Sequence, residues 1–162
     1  MNLTITIKGD TELTSKFGNY PSTVNEIMAL RFQELGDYLV KYVQDEKLSG
    51  QNLERRTGKL ADSITSSVSD TSRGVKLEVG PKGVEYAAIQ ERGGQTAAHQ
   101  IVPNKANMLH FFWHGQEVFF RSVNHPGSKI NATHYMRETL EENRGYIQSV
   151  VADAINEGWD KA

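Results

Sequence analysis

The sequence contains no cysteine among its 162 residues, which removes disulfides, thiolate metal sites and cysteine nucleophiles and leaves the redox compartment unreadable. A surplus of one charge is also missing: 18 Lys+Arg stand against 20 Asp+Glu, a formal net charge of −2. Counterion-release binding to nucleic acid needs clustered cations in excess, so this balance argues against a dedicated nucleic-acid binder. No apolar run approaches the ~20 residues that cross a bilayer, and no membrane partner is expected. The start, Met1-Asn2-Leu3-Thr4-Ile5-Thr6-Ile7, lacks a basic opening and an unbroken apolar centre, so a soluble chain without a cleaved leader is expected. Proline is scarce, at 4 residues, while 38% of the chain is hydrophobic and 23% charged, a composition that folds. The length fits a single domain, 1–162, that buries roughly two thirds of its unfolded surface.

Leu3, Ile5 and Ile7 alternate with Thr4, Thr6 and Lys8, the period of a half-buried strand. Thr23 and Glu26 have the spacing of a capping box, and Met28, Phe32, Leu35, Leu39 and Tyr42 follow at helical steps, predicting a helix over about Thr23–Asp45. Gly36 weakens that helix by about 1 kcal/mol relative to Ala. A flexible arm around 49–59 carries Arg55, Arg56 and Lys59. Leu60, Ala61 and Ile64 suggest a short helical turn leading into a strand over Ile64–Val68, and the alternation of Val75, Leu77 and Val79 completes an antiparallel hairpin around Asp70–Gly74.

Tyr86–Glu91 has the length of one or two helical turns stopped by Gly93-Gly94, and an exposed loop is expected around 92–98. Strand character returns at His99–Val102, Met108–Trp113 and Glu117–Ser122. The aromatics Phe111, Phe112, Trp113, Phe119 and Phe120 put the last hairpin at the centre of the expected core. His125-Pro126-Gly127 reads as a turn delivering the chain to a second long helix from Thr133 to about Glu157, with Asn143 a polar interruption and Gly145 a weak point. Two long helices, N-terminal and C-terminal, around an antiparallel sheet of five or six strands define an α+β class.

Chemistry is thinly marked. The candidates are His99, His110, His114, His125 and His134 together with Glu91. His110 and His114 are four apart, but no Glu follows His110 and the segment reads as strand, so the helical zinc motif is missing. Ordinary surface histidines are the bland reading, and a metal site combining His110 and His114 with His99 is the sharp one. No nucleophile elbow, phosphate loop or dinucleotide fingerprint occurs, and Gly93-Gly94 suits a tight loop with positive φ rather than a phosphate cradle. No catalytic, cofactor-binding or metal residue is assigned, no cofactor is expected, and the chain is read as a non-enzyme.

Four ordered segments carry a likeness. Thr57-Gly58-Lys59-Leu60-Ala61-Asp62-Ser63-Ile64 precedes the first hairpin, Val79-Gly80 closes its second strand, Tyr86-Ala87-Ala88-Ile89-Gln90-Glu91-Arg92-Gly93-Gly94 follows, and His125-Pro126-Gly127 precedes the last helix. In this order, over roughly residues 20 to 156, the chain resembles the small tail-completion or neck (head–tail joining) morphogenesis proteins of tailed bacteriophages, similar to the minor tail protein Z of lambda and to Mu-like virion morphogenesis proteins. The matched positions are Thr57, Gly58, Leu60, Ser63, Ile64, Tyr86, Ala87, Glu91, His125, Pro126 and Gly127.

The resemblance implies a structural virion protein that completes the tail or neck and is assembled in the host cytoplasm. Expected partners are its own copies in a ring, taken as a hexamer, a tail terminator or tail tube protein, and a head-side connector or stopper. DNA would be passing cargo. Ring contacts between identical subunits are heterologous, so one surface must complement another. Basic Arg55, Arg56 and Lys59 against acidic Glu138, Glu141 and Glu142 would supply one such pair, and Arg92, Gly93, Gly94 and Gln95 a second contact. The alternatives are a tail terminator, a host-directed binding module, or a metal-dependent hydrolase using His99, His110, His114 and Glu91.

Overall fold

The computed structural model describes residues 10–50, 57–72 and 74–162. The strand expected at Leu3–Ile7 and the arm residues Arg55 and Arg56 lie outside them. The fold is α+β, and the chain groups into two compact units: residues up to Glu85 with Tyr135–Ala162, and Tyr86–His134.

The first unit is built on helix α1, Asp10–Tyr42, which runs into a π-helical segment, Val43–Lys47. A one-turn helix α2, Lys59–Asp62, leads into the antiparallel strands β1, Ile64–Thr71, and β2, Gly74–Pro81. The unit is completed by α4, Tyr135–Glu142, and α5, Arg144–Lys161. Helix α1 packs along α5 on one side and across the β1–β2 hairpin on another. Ile27, Leu35, Leu39 and Val43 form its buried stripe, while Met28, Phe32 and Tyr42 flank it half-buried.

The helix begins well before Thr23, and the capping box does not form. The Ser22 and Thr23 hydroxyls both donate to the Asn19 carbonyl, at 2.8 and 3.1 Å. The early turns are held by tertiary contact: Phe17 and Tyr20 meet the Trp159 ring edge-on at 5.5 and 5.4 Å, with the Lys16 ammonium 4.9 Å from its centroid. Helix length here is set by packing on α5, which local spacing does not encode.

The second long helix is interrupted. Asn143, at φ −98° and ψ 7°, separates α4 from α5, and the C-terminal end extends to Lys161. The single helix expected from Thr133 to about Glu157 is corrected to two, because Asn143, expected only to interrupt the apolar face, leaves the helical conformation.

The second unit begins with a helix α3, Ala87–Arg92. Three nested ladders follow: β3, Gly94–Gln95, with β8, Lys129–Ile130; β4, His99–Ile101, with β7, Val123–His125; and β5, Leu109–Trp113, with β6, Gln116–Phe120. Nesting makes them one interrupted two-stranded ribbon. The two basal ladders share a register, since Thr96 faces Ser128 between them through an N–H to carbonyl bond of 2.9 Å. Beyond them the register shifts, because Val102–Met108 on one side meets only Arg121 and Ser122 on the other. At the tip His114 and Gly115 have φ of 49° and 80°, the positive pair that a two-residue hairpin turn requires.

The expected sheet of five or six strands is therefore corrected to eight strands in four two-stranded ladders among the described residues. The expected turn at His125-Pro126-Gly127 is a kink inside the ribbon, with β8 between it and α4. The aromatic hairpin is not the core: Phe112, Trp113, Phe119 and Phe120 are all exposed.

Gly36 has the opposite energetic sense to its helix propensity. It is buried where α1 crosses the hairpin, and a Cβ there would lie 2.8 Å from Ser66 Cβ and 3.0 Å from Leu77 Cδ1. Gly36→Ala is expected to destabilise the protein by about 1–2 kcal/mol, overpacking outweighing the gain in propensity. Urea denaturation checks this, and an Ala variant as stable as the parent or more so would refute the close-crossing account.

Candidate functional site

The segment Thr57–Ile64 is a packing device. Gly58, at φ 75°, caps α2, Leu60, Ala61 and Ile64 are buried, and the Ser63 hydroxyl donates to the Leu60 carbonyl at 2.7 Å. The Gln44 amide reaches the Ala61 carbonyl at 3.0 Å, tying α2 to the π segment. Lys59 is exposed on α2, and the Thr57 hydroxyl lies 3.4 Å from its N–H.

The segments around Tyr86–Gly94 and His125–Gly127 form the base of the ribbon. Ala87 is buried and Tyr86 exposed. The carbonyls at the end of α3 are capped from across the unit: Gln90 accepts from the Thr133 N–H and hydroxyl at 2.9 and 2.8 Å, and Glu91 from the His134 N–H at 3.1 Å. Gly93, at φ 72°, leaves no room for a Cβ, which would sit 2.8 Å from the Ala132 nitrogen. The positive φ expected for Gly93-Gly94 is present at both. Within 92–98, Arg92, Gly94 and Gln95 are exposed, but Gly94 and Gln95 are paired with Ile130 and Lys129. Gly127 packs against the Thr96 carbonyl, again too closely for a side chain, and its N–H donates to His125 Nδ1 at 3.1 Å. Pro126 is exposed between them.

The acidic candidates on α4 meet a cation of their own chain. Lys47, its side chain 9% exposed, donates to Glu142 at 2.7 Å and to Glu138 at 3.2 Å. Glu142 also accepts the Tyr42 hydroxyl at 2.8 Å, and Glu141 pairs with Arg137 at 2.9 Å. Beside them the Tyr38 hydroxyl donates to buried Asn143, whose amide donates to the Thr139 carbonyl, both at 2.9 Å. Sequence reasoning missed Lys47 because a lone lysine at a helix end looks solvated, and only the π segment and α4 together bury it. Burial pulls the Lys47 ammonium down, but the bonds and charges of Glu142 and Glu138 outweigh it and the net shift is upward. Hydrogen bonding from Lys47, then from Tyr42, holds Glu142 below its ordinary range.

The histidines do not converge. His99 lies against His125 across β4 and β7 with tilted rings whose centroids are 5.1 Å apart, and His99 Nδ1 lies 3.1 Å from the Ala97 carbonyl. His110 Nε2 contacts Glu117 at 2.5 Å, and His114 occupies the hairpin tip against Trp113. Among the described residues no three His, Asp or Glu side chains are grouped to hold a metal ion. The hydrolase constellation of His99, His110, His114 and Glu91 is thus not assembled.

What the second unit does assemble is apolar. Phe112 is 72% exposed, Trp113 62%, Phe119 57% and Phe120 46%. By register, His110, Phe112, Glu117 and Phe119 share one face of the hairpin, and Leu109, Phe111, Trp113, Val118 and Phe120 the other. The His110 ring stacks on Phe119 at 4.7 Å, and Phe111 on Phe120 at 5.8 Å. Such stacking orders the aromatics without covering them. The sequence showed five aromatics in strand context, and only their exposure marks them as a surface.

No protein-family model, curated protein or solved structure matches the chain. No helix among the described residues is long and apolar enough to cross a membrane.

The Lys47 cluster fixes a pH dependence. A carboxylate held below its ordinary value of 4.5 stabilises the fold above that pH and loses its contribution as pH falls through the lowered folded value. An ammonium raised above 10.5 contributes fully below that pH and is lost above it. The urea midpoint should stay level between these limits and fall on the acid side. In Glu142→Gln the acid-side fall should be shallower, and an unaltered slope would show that Glu142 is not a group linking folding to acid.

Proposed function

We propose that this chain is a structural virion protein of a tailed phage, one that completes the tail or neck and joins the head connector to the tail. Its copies form a ring, expected as a hexamer, set between a tail terminator or tube protein and a head-side connector or stopper, with DNA only passing through. It transforms no substrate. The observation that carries this reading is the aromatic hairpin: four of the five Phe and Trp side chains of residues 86–134 lie outside, where they contribute little to a lone protomer and much to an assembly.

Two further features support it. The residues that carry the phage-family likeness have scaffolding roles, as caps, buried apolar side chains and close-packed glycines, as a protein working by shape requires. A net charge of −2 per subunit also suits a conduit that must not grip the duplex.

Native mass spectrometry and negative-stain imaging of the full chain test the reading. A closed ring that binds both purified tails and head-side connector is the expected result. A protomer that stays monomeric at tens of micromolar and binds neither would overturn it, and binding to the tube end alone would reassign the chain as a tail terminator.

A further inference from the structure

We infer that the β5–β6 hairpin is the surface on which one copy of this chain seats against another. This rests on the ring reading above and adds to it the surface that self-association uses. The first argument is area. With roughly 200 Å² for each aromatic side chain, the exposed parts of Phe112 and Phe119 amount to about 260 Å² on one face of the hairpin, and those of Trp113 and Phe120 to about 220 Å² on the other. A standard interface covers about 800 Å² per partner, of which somewhat more than half is apolar, so each face supplies roughly half the apolar share of a stable contact.

The second argument is the backbone. Neither outer edge of this ladder pairs with another strand among the described residues. Residues 109–113 and 116–120 contain no proline and no lysine, the residues that protect free edges. The third argument is charge and selects the occupant. The strands' ionisable groups are His110 and Glu117, and they contact each other within the hairpin. The strands carry no cluster of like charges to select an oppositely charged foreign protein, whereas an aromatic surface with open edges can receive its own kind. One face of a hairpin can meet the opposite face of the next copy, or β5 of one can pair edge to edge with β6 of the next, both of them heterologous contacts as a ring requires.

Two measurements on the full-length protein decide it. Phe112→Glu places a charge at the most exposed aromatic position, where folding does not depend on the ring, and should raise the dissociation constant for self-association at least about tenfold while circular dichroism of the dilute protein is unchanged. In Trp159→Phe, Trp113 is the single indole. Its emission should shift to the blue and resist iodide quenching as concentration carries the protein into the ring, and both effects should reverse on dilution.

If the parent forms rings but Phe112→Glu assembles with unchanged affinity, or Trp113 is quenched equally in ring and protomer, the surface assignment falls while the ring reading stands. Protection of Trp113 only on adding another tail protein or lipid vesicles also overturns it, in favour of that occupant. A parent that never self-associates removes both.

Discussion

The first unit depends on the antiparallel seam between α1 with its π segment and the α4–α5 pair. Its contacts run in sequence: Phe17 and Tyr20 on Trp159, Arg31 on Glu157 at 2.9 Å, Tyr38 on Tyr146 and Asn143, Tyr42 on Glu142, and Lys47 on Glu138 and Glu142. Apolar contact dominates one end and hydrogen-bonded polarity the other. Buried Val43, Leu35 and Ala154 supply the hydrophobic gain along it, whereas the polar end fixes which residues face each other. A slip by one turn would part the Lys47 ammonium, on a side chain with little exposure, from both of its carboxylates, and an unpaired buried charge is strongly destabilising.

Two glycines set how closely the layers approach. Gly158 is buried against Val24 and Gly36 against Ser66, each where a side chain would push the elements apart. The seam and the hairpin thus press α1 from two sides, and this long helix is held by tertiary contact although Gly18, Pro21 and Gly36 all lie within it. The break at Asn143 belongs to the same arrangement. By donating to Thr139 and accepting from Tyr38, the Asn143 amide satisfies polar groups inside the seam.

Much of this was legible in the sequence. The α+β class, the β1–β2 hairpin and the one-turn helix before it follow from short-range periodicity and polarity, whereas the break at Asn143 divides what reads as one long helix. The start of α1 was not, because Ser22 and Thr23 imitate a cap and the helix before them persists only by leaning on Trp159. The ribbon was half legible: β3, β7 and β8 are too short to show a period, and they exist because Gly93, Gly94 and Gly127 let the two chains cross. The hairpin's role was inverted, since alternation and aromatic content are the same for a strand buried in a core and one made to be covered by a partner.

That inversion follows from the architecture of the second unit. A two-stranded ladder is marginal by itself, because each strand has a single neighbour and no layer behind it. Here the base is secured independently of the tip: Thr133 and His134 cap α3, Thr96 bonds Ser128 in both directions, with the Ser128 N–H reaching its hydroxyl at 2.7 Å, and the His99 and His125 rings pack against each other. None of these contacts uses an aromatic residue of β5 or β6. The tip therefore bears hydrophobic area that the protomer's own fold does not need at its base, and nothing within the ribbon requires Phe112 or Trp113 rather than threonine or lysine at those positions. Aromatic side chains retained there add an aggregation hazard to the free chain, a burden relieved only when another molecule covers them. The ribbon is in this sense divided, its base secured by hydrogen bonds within the unit and its tip left with apolar area in water.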